Sequence, residues 1–194
     1  MTAVSILNQE ECMRVLGPHL GVLHDIIHEA FAKYQAYSPE ALADHDERAA
    51  AACVHSHIIT AAGATFGESS GAILLDARGL KVLNVGDRVV ARFKKVDEDG
   101  RSRSYPTRQA KNFDKQLPLP NLPNPAARLT IGYEPDIAFT AIQRVVVSCP
   151  LGPSILWCSQ VLRDGEESRW IDITPQRFTG TEGYRRYEGR EGQG

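Results

Sequence analysis

The sequence contains no apolar run of about 18 residues, so it offers no candidate membrane-spanning helix. Its first residues, MTAVSILNQEEC, lack the basic segment and apolar stretch of a secretory signal. The cysteines, Cys12, Cys53, Cys149 and Cys158, form no C-x-x-C pair, which argues against a zinc ribbon or redox dithiol and fits reduced thiols in a cytoplasmic protein. There is no P-loop, no G-x-G-x-x-G and no G-x-S-x-G, so NTPase, dinucleotide-binding and serine-hydrolase readings have no anchor. Asp97, Glu98 and Asp99 are consecutive, whereas a calcium loop needs alternating ligands and a later glutamate, so this run reads as a turn.

What is present is an ordinary globular composition, 194 residues with 42% hydrophobic content, enough for one core. Residues 8–16 and 18–34 read as helical, with Leu20, Leu23, Ile27, Ala30 and Phe31 at three- and four-residue spacings. Ser38-Pro39 is a helix start, and the alanine-rich run from Arg48 to Ala62 is a further helix. From Gly71 the period changes to two. Ala72–Ala77, Leu80–Val85 and Arg88–Val96 read as a three-stranded meander, and Pro106–Leu117 as a helix with Ser104 or Tyr105 before it. Prolines 118, 120, 123 and 125 then enforce an extended crossing, because each lacks an amide donor. Arg128–Tyr133, Ile142–Cys149 and Ile155–Leu162 are the further strands, with Trp157 in the core. The fold class expected is α+β, with N-terminal helices, a mainly antiparallel sheet and helices on one of its faces. The domain is expected over residues 1–163, helical to 67 and sheet from 71, and residues 164–194 as a charged, glycine-rich tail in which Trp170 and Ile171–Ile173 could still dock.

Charge is unevenly placed. Between Arg88 and Lys115 stand nine basic residues against four acidic ones, in a chain of net charge −2. Alternation along β-structure puts Arg92 and Lys94 on one face, and Gln109, Phe113 and Gln116 form one stripe of the following helix. A strand bearing two cations that leads into such a helix suits a phosphate backbone, with Arg92, Lys95, Arg101, Arg103, Arg108 and Lys111 as the binding candidates. The bland alternative is that Phe113 packs inward and the cations are simply solvated.

The order helix with His55 (ERAAAACVHSHI), strand with Asp76 (GAILLDA), strand with Lys94 (ARFKK) and helix with Gln109 and Phe113 (QAKNF) resembles the RecB-type branch of the PD-(D/E)xK nucleases. The resemblance covers about residues 44–117. It implies a nuclease-type core in which Lys94, Asp76 and Gln109 are catalytic and His55 with Asp76 holds Mg²⁺ or Mn²⁺. It departs from the family at Arg92, which stands where that motif has a carboxylate two residues before the lysine. A second resemblance, carried by ERAAAACVHSHI, RFKKVDEDGRSRSYPTRQAKNFDKQLPLP and RLTIGYEPD, is to small bacterial proteins encoded beside a helix-turn-helix protein with an ImmA/IrrE-type domain. It implies a toxin-like member of a toxin-antitoxin module whose partner is the cognate regulator.

Two other readings follow from the residues. The basic strip could dock an acidic surface of a partner regulator without any catalysis. His24 with His28, and Cys53 with His57, lie four apart on their helices, so two facing pairs could form a zinc site.

Overall fold

The computed structural model describes residues 8–103 and 107–175. Five α-helices are placed there: α1 (Gln9–Leu16), α2 (Leu20–Gln35), α3 (Pro39–Asp44), α4 (Glu47–Thr65) and α5 (Arg108–Asp114). Each start is chemically marked except that of α2, which follows a 3-10 turn. Asn8 and Glu11 form a reciprocal capping box, and the side chains of Ser38, Asp46 and Thr107 accept the amides of Ala41, Ala49 and Ala110. Helix α5 is shorter than expected; its cap is Thr107, and the expected start at Ser104, Tyr105 and Pro106 falls outside the described residues. It ends where Gln116 takes a left-handed φ of 59°.

The strands are β1 (Ala72–Ala77), β2 (Leu80–Val85), β3 (Val89–Lys95), β4 (Ala127–Pro135), β5 (Ile142–Leu151), β6 (Ser154–Asp164) and β7 (Glu167–Asp172). They form one sheet in sequence order, antiparallel everywhere except between β3 and β4. That one parallel pair is forced by the crossing that carries α5 and the proline-rich segment, because a parallel neighbour cannot be reached by a tight turn. The architecture is therefore α+β. Strand β7 is a correction to the expected tail: Arg169, Trp170 and Ile171 pair with Leu162, Val161 and Gln160, so the sheet runs on past residue 163.

Alternation divides the core in two. Val89, Ala91 and Phe93 of β3 join Leu129 and Ile131 of β4 in the main cluster under α1, α2 and α4. Val90, one residue out of phase, belongs to a second cluster with Val82, Phe113, Leu119 and Leu122 on the opposite face. Helices consequently cover both faces, not one. Fully burying each of these large apolar side chains contributes about 1.5–3 kcal/mol, so Phe113 and the crossing leucines help hold α5 to the sheet.

Candidate functional site

The pairing of β3 sets up the site. Strand β3 pairs with β4 along its own whole length, from Val89 to Lys95, but meets β2 only through Val89, Val90 and Ala91. Beyond Ala91, β2 parts from β3 and follows β1 toward α5, where the Gln109 amide donates to the Ala77 carbonyl at 2.7 Å. The second half of β3 is left without β2 as its neighbour on that side.

Arg92 and Lys94 share the face toward α5. Arg92 is 3% exposed. Its Nη2 donates to Asp114 Oδ1 at 2.6 Å and Ser102 Oγ at 2.8 Å, its Nε to Thr130 Oγ1 at 3.2 Å, and its guanidinium lies 4.7 Å from the centre of the Phe113 ring. Its Nε and Nη2 are committed and the group is buried, so the expectation that Arg92 binds phosphate is corrected: it ties β3 to β4 and α5. Burial pushes the Asp114 carboxyl upward, while Arg92 and Lys94 pull it back.

Lys94 is half-buried and differs from its neighbour. Among the described residues it has neither a hydrogen-bond nor an ion-pair partner. Burial lowers its pKa first, the Arg92 charge lowers it further, and Asp114 opposes both. Its charge also reaches His55 of α4, whose pKa falls mainly through burial, so that imidazole is neutral at pH 7. The structure thus sets Asp114, which the sequence analysis did not single out, against Arg92, with Lys94 next on the same face of β3; His55 feels the Lys94 charge but makes no hydrogen bond to it. The available signal was that Asp114 is the one acidic residue of the helix facing Arg92.

The other candidates are dispersed. Asp76 lies on β1, a full strand away from β3; its Oδ1 accepts the Gly79 amide at 2.7 Å and its Oδ2 pairs with Lys81 at 2.5 Å, so it closes the β1–β2 turn. Gln109 is a bracket to β1. Lys95 pairs with Glu47 of α4, and Arg101 with Asp99 at 3.5 Å. Arg103, Arg108 and Lys111 are exposed; the latter two stand three apart on one flank of α5, and Arg103 lies near Lys95.

The residues present do not fit the divalent cation that the nuclease resemblance implies. Asp76 is committed to Lys81, position 92 bears an arginine, and among the described residues no three His, Cys, Asp or Glu side chains are grouped so as to hold a metal. Of the zinc candidates, His24 and His28 lie against each other, ring centroids 4.3 Å apart and tilted by 31°, while His57 Nε2 is 2.9 Å from the Tyr37 hydroxyl. Among the described residues no helix is long and apolar enough to cross a membrane. Compared with protein-family models, curated proteins and solved structures, the chain matches none.

Proposed function

We propose that this chain recognises nucleic acid by its phosphate backbone, using a degenerate nuclease-type site that binds without cutting. Its cellular role is that of a toxin-like component whose cognate regulator covers the same cations. The observation that carries this reading is Lys94: a half-buried ammonium, without an ion-pair or hydrogen-bond partner among the described residues, on the face of β3 that Arg92 ties to α5. A lysine held this way is short of a counter-charge, and a phosphate oxygen supplies one. Arg103, Arg108 and Lys111 extend the positive flank along the backbone path. His55, on α4 and within the field of Lys94, is the further polar group this reading assigns to the phosphate.

The reading is tested by fluorescence anisotropy of short labelled DNA and RNA against the full chain. Four phosphates neutralised by four cations give a loss of affinity of ~10²-fold between about 50 and 200 mM salt. Lys94→Ala and the pair Arg108→Glu with Lys111→Glu should each weaken binding across all sequences, with no cleavage product in Mg²⁺ or Mn²⁺. Affinity unchanged in both variants defeats the binding proposal. A Lys94-dependent product in either metal defeats the statement that the site does not cut. Bacterial growth on expression of the chain, arrested with Lys94 and normal with Lys94→Ala, is the test of the toxin-like role.

A further inference from the structure

Arg128 of β4 is one of the largest fully buried side chains in the protein, 1% exposed. Its Nη1 donates to the carbonyls of Ala126 at 3.1 Å and Gln116 at 3.4 Å. Its Nε and Nη2 are also buried and have no hydrogen-bond partner. No carboxylate among the described residues pairs with it, and no neighbouring charge offsets the effect of burial on it. A guanidinium does not shed its proton to escape such a place, so the positive charge remains. Its partnerless atoms are not a random pair. Nε–H and the adjacent Nη2–H lie parallel in one plane and form the side-on edge that receives two oxygens of a carboxylate or phosphate at once.

We infer that Arg128 is the base of an enclosed anion site, in which one oxyanion, a phosphate or a carboxylate, spans Nε and Nη2 beneath the crossing from α5 to β4. The wall on the Nη1 side is already built: Gln116, itself buried, accepts the Arg128 amide at 2.8 Å and donates to the Arg128 and Pro150 carbonyls, which fixes the backbone of both β4 and the crossing around the guanidinium. Because Nε and Nη2 are closed to solvent, the anion exchanges only when the crossing at residues 117–126 lifts, and its occupancy couples to the stability of the whole domain. The site is built from Arg128 and Gln116, not from Lys94, and does not depend on nucleic-acid binding.

The test is thermal unfolding of the full chain in phosphate, acetate and chloride at matched ionic strength, for wild type and Arg128→Met. A saturable rise of about 2–4 °C is expected in phosphate or acetate over chloride, and its loss in Arg128→Met. Whichever anion acts identifies the ligand as phosphate or carboxylate. Methionine keeps an unbranched apolar stem in the pocket and needs no counter-charge, so the variant is expected to fold. Equal rises in both proteins would mark a general salt effect and overturn the site, as would no rise in wild type. Phosphorus NMR of the wild-type chain gives a readout free of any variant. Under the phosphate assignment a second, bound phosphate resonance appears beside the free one and excess sulfate removes it; a free resonance alone, with acetate also without effect on unfolding, overturns the site.

Discussion

Removing Asp114 is the sharpest probe of how this fold is held, because it leaves Arg92 charged, 3% exposed and without its only carboxylate. Breaking a buried pair by deleting one partner costs 3–5 kcal/mol where both groups are buried. Asp114 is 27% exposed, and water can reach the vacated side, so the lower end applies and Asp114→Ala should cost about 3 kcal/mol. At 2–4 °C per kcal/mol for a domain of this size, the melting temperature should fall by about 6–12 °C. Adding Arg92→Met should recover part of the loss, since the orphaned charge disappears and methionine can still pack on Phe113. The assay is urea and thermal unfolding by circular dichroism on the two single variants and the double variant, closing a double-mutant cycle. If Asp114→Ala lies within about 0.5 kcal/mol of wild type, or the double variant loses as much as the two singles summed, the bolt formed by Arg92 is not what joins α5 to the sheet.

Lys94→Met should raise stability at neutral pH, because burial and Arg92 hold the ammonium at a cost. With its folded pKa below 10.5, that cost is full at low pH and disappears as pH rises through the folded value toward 10.5, so the two urea midpoints should converge there. Gln116→Ala should cost about 3 kcal/mol by orphaning the Arg128 amide and the carbonyls of Arg128 and Pro150, read from urea unfolding. Asp76→Ala should leave nucleic-acid affinity unchanged in the anisotropy titration, because the carboxylate is paired with Lys81 a full strand away from β3.

Much of the fold was legible because the local signals agree with the tertiary result. The apolar spacing of Leu20, Leu23 and Ile27, the caps at Ser38 and Asn8, and the change to period two at Gly71 all survive packing. Strand β7 was harder to read, since Glu167, Arg169 and Asp172 are residues typical of a solvated tail. On an exposed edge strand the same charges serve well, because they deter further strand pairing. The site was only half legible. Alternation correctly put Arg92 and Lys94 on one face, but period says nothing about which groups on the next helix arrive there. Asp114 reaches Arg92 because Gln116 and Gln109 pin the two ends of α5, and those brackets are contacts across 12 to 34 residues.

The arginine at position 92 changes what this cleft needs in order to be stable. A carboxylate in its place would face Asp114 across a hydrogen-bonding distance, with Lys94 as the sole nearby compensating charge, and the pair would call for a cation between them. Arg92 supplies that positive charge from within the chain, and its Nε and Nη2 donate to three oxygens there. Neutralising the cleft in this way spends Asp114 and leaves Lys94 with no counter-charge of its own. What Lys94 then lacks is a paired negative charge, and the proposal of a bound anionic backbone rests on that deficit.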